Sequence, residues 1–278
     1  MCYLKFNLSL QLEMEQARRQ KSFKSIYLNP FTMIKAVKDD FVKFYRLHQS
    51  LEALERVRGE ISEEAYERLK ALVYYRLYGR EFNRDKIKEK IALAFSMGSD
   101  STASLLILRW AGFDVVPVMV RLPQMRDVIL LRAQEYGAVF VEVPNYAEVI
   151  SSQIQKRAPI CGKCHSMIME AVKNYARKNG IKIVASGDLL SFGSISIYKE
   201  GDLIKLNLPA FLALDKREAI SILGRKYALG FGCPLWKNAT KSAPILKRFG
   251  IQRVLRELRA GAIDKEIANA LIRDILKN

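Results

Sequence analysis

The stretch Ile91-Ala92-Leu93-Ala94-Phe95-Ser96-Met97-Gly98-Ser99-Asp100-Ser101-Thr102-Ala103-Ser104-Leu105-Leu106 decides the fold. An apolar run gives way, without a spacer, to small polar residues and a glycine, and then to an amphipathic stretch that continues to Trp110. This reads as a buried strand, a tight turn and a helix. Backbone amides of such a turn and of the first helical turn lack helical partners, and with the helix dipole they favour a bound polyphosphate. Gly98 lets the backbone come close to the oxygens, and the hydroxyls of Ser96, Ser101 and Thr102 add donors. The Gly-Lys-Ser/Thr element of a Walker loop is missing. A plain helix start capped by Ser99 or Asp100 is the alternative reading of these residues.

Further along, the apolar runs Val115-Val116-Pro117-Val118-Met119-Val120, Ala138-Val139-Phe140-Val141-Glu142-Val143 and Ile181-Lys182-Ile183-Val184-Ala185 alternate with helix-like stretches at 101–110, 125–136 and 165–178. Apolar runs alternating with helices imply an α/β fold with a parallel, Rossmann-like sheet covered on both faces. Right-handed crossovers collect the strand ends and their loops on one edge, so the loops after the first and fourth runs are expected to carry the site. Ile195-Ser196-Ile197-Tyr198 and Leu203-Ile204-Lys205-Leu206 suggest a hairpin around Glu200-Gly201-Asp202, and the tail from Asp215 is helical. Upstream, Phe41, Phe44, Tyr45, Leu47, Leu51, Leu54 and Val57 recur at helical spacing, and Ser62 opens a further helix. The domains expected are a helical extension at 1–88 and the nucleotide-binding domain with its helical tail at 89–278. Tyr74, Tyr75 and Tyr78 read as core aromatics, with base stacking as the alternative.

The charge balance, 46 Lys and Arg against 29 Asp and Glu, favours a polyanionic partner, although a generally basic surface is the plainer reading. Basic residues gather at Arg18, Arg19, Lys21 and Lys24 and again at Lys241, Lys247, Arg248, Arg253, Arg256 and Arg259, a separation that suits a folded RNA. No run approaches the roughly 20 apolar residues of a membrane span, and residues 1–12 lack a basic leader and a cleavage site, so a cytoplasmic protein without a membrane partner is expected. Met14 is an alternative start. The four cysteines, Cys2, Cys161, Cys164 and Cys233, do not make a disulfide scaffold. Cys161-Gly162-Lys163-Cys164 is read as a turn ahead of a helix, either a pair of metal-ligating thiolates or two incidental or redox-active thiols; His165 completes a haem-attachment string that does not suit a cytoplasmic α/β enzyme.

Ser96-Met97-Gly98-Ser99-Asp100-Ser101 resembles the Ser-Gly-Gly-x-Asp-Ser signature of the PP-loop superfamily, the N-type ATP pyrophosphatases, with Met97 in place of the first glycine. The cysteines resemble those of the PP-loop enzymes that make 2-thiouridine and 2-thiocytidine in tRNA: a Cys-x-x-Cys pair after the third strand, here Cys161 and Cys164, and a third cysteine before proline, here Cys233 in Gly230-Phe231-Gly232-Cys233-Pro234. Asn207-Leu208-Pro209 and the helix from Lys216 resemble the segment that leads to that third cysteine. The resemblance covers roughly 90–259. It implies ATP and Mg²⁺ at the loop, contacts from Ser96, Met97, Gly98, Ser99, Asp100, Ser101, Thr102, Val120 and Gly187, and a [4Fe-4S] cluster on Cys161, Cys164 and Cys233, with zinc as the rival metal. Asp100 and Asp188 are the candidate catalytic residues; Asp188 stands where those enzymes have a histidine and no paired carboxylates follow, which argues against an acid/base role and leaves it as a substrate or Mg²⁺ contact or, equally, a turn aspartate. The flanking zinc-finger cysteines of those enzymes are absent.

The function expected from the resemblance is tRNA sulfurtransfer: ATP adenylates a nucleobase carbonyl and sulfur from a donor replaces it. A PP-loop ligase acting on a small carboxylate or amide, with structural cysteines, is the second expectation. A basic RNA-binding protein with a degenerate nucleotide site is the third. A helical extension on a sheet domain also offers a surface for a homodimer.

Overall fold

A computed structural model describes residues 34–224 and 229–278; Cys2, Met14, the basic residues Arg18, Arg19, Lys21 and Lys24, and Tyr227 lie outside them. Two helices come first, α1 (Phe41–Glu55) and α2 (Glu63–Tyr78). Asp40 caps α1 by accepting from the Lys43 amide at 3.0 Å, and Ser62 caps α2 by accepting from Ala65 at 3.2 Å, each satisfying an amide that the helix cannot. The α/β succession follows: β1 (Lys90–Ala94), α3 (Ser99–Trp110), β2 (Asp114–Val120), α4 (Asp127–Glu135), β3 (Val139–Val141), α5 (Tyr146–Gln155), α6 (Ile160–Lys178) and β4 (Ile183–Ser186). After β4 come β5 (Ile197–Glu200), β6 (Leu203–Asn207), a single helical turn α7 (Leu208–Phe211), α8 (Lys216–Ile222), α9 (Pro234–Ser242), α10 (Lys247–Arg259) and α11 (Lys265–Lys277).

The six strands run in the order β3-β2-β1-β4-β6-β5, all parallel except β5. The expected hairpin exists, but it is not an appendage: β6 pairs in parallel with β4, Ser186 opposite Asn207, so its return strand extends the main sheet and β5 is the edge. Ile195 belongs to a turn of 3₁₀ helix ahead of β5 rather than to the strand. The third apolar run yields only three strand residues, and they pair with β2 from Val118 onward, immediately past Pro117. Proline has no N–H to give a neighbouring strand, so pairing on that side starts after it.

Strand periodicity divides the core between the two faces. Ala92 and Val184 face α6, where Val118, Met169, Val172, Ala176 and Leu203 join them in one buried cluster. Ile91 and Leu93, both fully buried, point the other way, and α3, with Leu105, Ile107 and Leu108 fully buried, covers that face. Ile34–Asn278 form one compact unit. Within it, α1 packs against the segment between β4 and β5: Ser50 and Ser196 hydroxyls meet at 3.2 Å in the interior, and the Arg46 guanidinium lies 3.6 Å from the centre of the Phe192 ring. Tyr75 joins Phe82 and Trp110 in an edge-to-face aromatic cluster, consistent with the core reading, whereas Tyr78 is exposed. A second apolar core, with Phe231, Trp236, Val254, Ile267 and Leu271, binds α9, α10 and α11 together.

Candidate active site

The chain runs β1, β2, β3 toward one edge and returns to place β4 on the other side of β1. The loops leaving β1 and β4 therefore diverge at the point where open α/β sheets form ligand crevices. The loop after β1 is held by its own hydroxyls. Ser101 Oγ accepts from the Ser96 amide at 3.3 Å and donates to the Gly98 carbonyl at 3.2 Å, while Ser96 Oγ accepts from the Gly98 amide at 3.3 Å. The first intrahelical bond of α3 runs from Thr102 N to Gly98 O, 3.0 Å, so the amides ahead of it have no acceptor inside the helix.

Several site residues stand differently from the sequence expectation. Gly98 is itself the N-cap, with an ordinary φ of −69° and no side-chain cap, so neither Ser99 nor Asp100 takes that role. The left-handed residue of the turn is Met97, φ 59°, a conformation that costs a non-glycine residue free energy and tends to persist at functional turns. Ser96 and Ser101 serve the loop's own architecture, Ser99 Oγ donates to Asp100 Oδ1 at 3.0 Å, and Thr102 Oγ1 is buried without a hydrogen-bond partner. Asp100 is paired with Lys216 at the start of α8, whose Nζ lies 2.8 Å from both carboxylate oxygens.

Gly187, after β4, belongs to the site for a steric reason. A Cβ there would lie 2.7 Å from Ser101 N and 2.9 Å from the Asp100 carbonyl carbon, so only glycine lets the two loops touch. Asp188 is a loop-building residue in this arrangement: it accepts from Leu190 N at 2.7 Å and from Ser191 Oγ at 2.6 Å, the turn-aspartate role. Val120, at the end of β2, is buried against Leu122, Tyr146, Ile150 and Ile160.

The Cys-x-x-Cys pair is not on a turn. α6 begins at Ile160, one residue after Pro159, and carries Cys161 and Cys164 in its opening turns. Cys233 is the N-cap of α9, with Pro234 at the first helical position; Gly232 before it has φ 76°, a left-handed turn suited to glycine. The fold thus brings together thiols separated by some 70 residues in sequence. Burial raises Cys161 to about 11, with Cys233 and Cys164 adding to the effect. Burial likewise raises Cys164, as does Cys233, while Tyr146, its hydroxyl 3.1 Å from Sγ, opposes the rise. Cys233 is exposed. A cleft of about 770 Å³ opens beside Cys161, bordered by Phe231, Trp236, Arg253, Arg256 and Arg259. Desolvation works to lower the pKa of Arg253, and Glu257 at 2.8 Å, with smaller contributions from Cys161 and Asp100, outweighs it; the side chain is about half exposed.

Three thiols without a carboxylate are a soft donor set that suits iron–sulfur or zinc in kind. As placed they do not close on a centre: among the described residues no three His, Cys, Asp or Glu side chains form a group able to hold a metal ion. Nor is any helix of the described residues long and apolar enough to cross a membrane.

Lys216, Arg253 and Tyr146 had no place in the sequence reading of the site. Lys216 has a local signal in hindsight, the first residue of a helix after a buried run, but its partner Asp100 is remote in sequence; Tyr146 has none. No family model matches the chain. It is 37% identical over 238 residues to the uncharacterized protein MJ1638 of Methanocaldococcus jannaschii, covering 81% of this chain and 90% of that protein. It is 31% identical over 188 residues to the argininosuccinate synthase of Hyperthermus butylicus, covering 56% of this chain and 47% of that protein.

Proposed function

This chain belongs to the family of the Methanocaldococcus jannaschii protein, and we propose that it is an ATP-using enzyme that adenylates a carbonyl oxygen of its substrate. The observation that carries the proposal is the loop of Ser96–Ser101: self-bonded, opening a helix and lying at the topological switch point of a parallel sheet. Such a loop receives the pyrophosphate portion of ATP through first-turn amides and the helix dipole. The substrate oxygen attacks the α-phosphorus, the bond to the bridging oxygen breaks, and pyrophosphate leaves with the electron pair. The partial match to an argininosuccinate synthase, itself a PP-loop ATP enzyme, supports ATP use.

The finer proposal is that the substrate is a nucleobase in RNA, tRNA in particular, and that a sulfur nucleophile then displaces AMP, which carries the original base oxygen away. Support comes from the electrostatic influence of Cys233 on both Cys161 and Cys164 and from the basic side chains of α10 bordering the cleft beside Cys161. If a cluster is bound, Cys161, Cys164 and Cys233 would hold it, and it would supply sulfur-transfer chemistry. Mg²⁺ at the loop would share the charge of the leaving pyrophosphate.

The test is pyrophosphate and AMP release by anaerobically purified protein given ATP, a sulfide donor and either bulk tRNA or a panel of small carboxylates and amides. RNA-dependent release with a thiolated nucleoside in the digest supports the finer proposal. Release with a small substrate alone supports the second reading, a small-molecule ligase, which the argininosuccinate synthase match favours. No release with any of them refutes adenylation. Iron and labile sulfide content, lost in Cys164→Ser, tests the cluster separately.

A further inference from the structure

We infer that Lys216 is the phosphate-binding cation of this nucleotide site and that the N-terminal helices hold it there, Lys43 and Arg76 gripping the two carboxylates that flank it. The inference rests on the reading of the loop as an ATP site and names which residue outside the loop completes it.

Lys216 is the first residue of α8, a helix opened by a capping box in which Asp215 accepts from the Glu218 amide and the Glu218 side chain accepts from the Asp215 amide. That box fixes the backbone from which Lys216 projects. Both of its carboxylates are in turn held by cations from the N-terminal helices. Lys43 Nζ of α1 lies 2.7 Å from Asp215 and 3.0 Å from Glu218, and Arg76 of α2, almost fully buried, meets Glu218 at 2.5 Å. Arg76 also donates to the carbonyls of Leu212, at 3.2 Å, and Lys35, so it ties α2 to the run leading into α8. Burial works against the charge of Lys43, yet its two carboxylate partners raise its pKa on balance.

From this scaffold the Lys216 ammonium reaches the mouth of the phosphate loop, where it spans both oxygens of Asp100. An ammonium has three protons, and Asp100 engages two, which leaves one for an oxygen of an anion on the adjacent amides. Lys216 also neutralises a carboxylate that otherwise faces the incoming phosphates with like charge. The helices upstream of the sheet domain thereby set the geometry of the nucleotide site.

The experiment is calorimetric titration of the full chain with ATP, pyrophosphate and AMP, comparing wild type with Lys216→Met, Lys216→Arg and Lys43→Met, each checked for folding by circular dichroism. Loss of one charge-assisted contact to phosphate predicts about thirtyfold weaker binding of ATP and pyrophosphate by Lys216→Met. AMP, lacking the pyrophosphate portion, should change less than about threefold, and Lys216→Arg should restore most of the loss. Lys43→Met should weaken ATP and pyrophosphate in the same pattern, by about threefold to tenfold, and this arm decides the matter if Lys216→Met does not fold. Unchanged binding in Lys216→Met and Lys43→Met, or equal losses for all three ligands, overturns the inference while leaving ATP use standing. A wild type that binds neither ATP nor pyrophosphate overturns both.

Discussion

Replacing Lys205 with methionine should stabilise this protein at neutral pH. Lys205 lies in β6, every residue of which is buried, opposite Val184 of β4 and Tyr198 of β5. Its Nζ is 3.4 Å from Met169 Sδ, a weak acceptor that cannot repay the loss of water. Burial pushes the amine down to about 8; Glu200 and Asp188 favour the charge and Lys173 opposes it. In the unfolded chain the amine titrates near 10.5. Below about pH 8 both states are charged, and the folded state bears the full cost of burying an ammonium. Between about 8 and 10.5 the unfolded chain keeps a proton that the folded chain has released, so stability climbs with pH across that window. The interval from 10.5 to about 8, at 1.36 kcal/mol for each pH unit, is worth about 3 kcal/mol. Methionine keeps the stem and its contact with Met169 without the charge. At pH 7, Lys205→Met should therefore be more stable by about 3 kcal/mol, roughly 6–12 °C in Tm for a unit of this size. Above pH 10.5 the gap should close. Urea titrations at pH 7, 9 and 10.8 measure it. A variant no more stable than wild type at pH 7, or a gap that stays constant as pH rises, refutes the argument.

Gly187→Ala places a Cβ 2.7 Å from Ser101 N, so the phosphate loop must shift; ATP affinity should fall at least tenfold with little change in AMP affinity, as read by calorimetry. Asp188→Ala removes the acceptor for Leu190 N and Ser191 Oγ and should cost about 2 kcal/mol in urea unfolding, whereas Asp188→Asn, which keeps one acceptor oxygen, should recover about half; a silent Asp188→Ala would show that the loop does not need it. Arg76→Met removes one cation from Glu218, which keeps Lys43, and takes a donor from the Leu212 and Lys35 carbonyls; it should destabilise by about 2 kcal/mol, measured by the same unfolding assay.

What sequence determined was whatever depends on neighbours along the chain. Apolar runs of strand length with helical stretches between them suffice for a parallel sheet, since a strand with apolar residues on both faces must be covered on both. The position of the phosphate loop follows as well, because a strand, a glycine turn and a helix start are consecutive at residues 90–102. The helix start at Ser62 was legible too. What sequence left open depends on partners distant along the chain. Asp100 meets Lys216 only because α8 crosses the start of α3. Gly187 was named through resemblance, but the steric reason for it, the touch of its loop on Ser101 and Asp100, exists only because β4 lies next to β1. Strand β6 joins the main sheet as well as closing its hairpin because its backbone amides and carbonyls find β4 on one side and β5 on the other. Local sequence specifies which backbone groups and charges need partners, while tertiary structure decides which remote residues supply them.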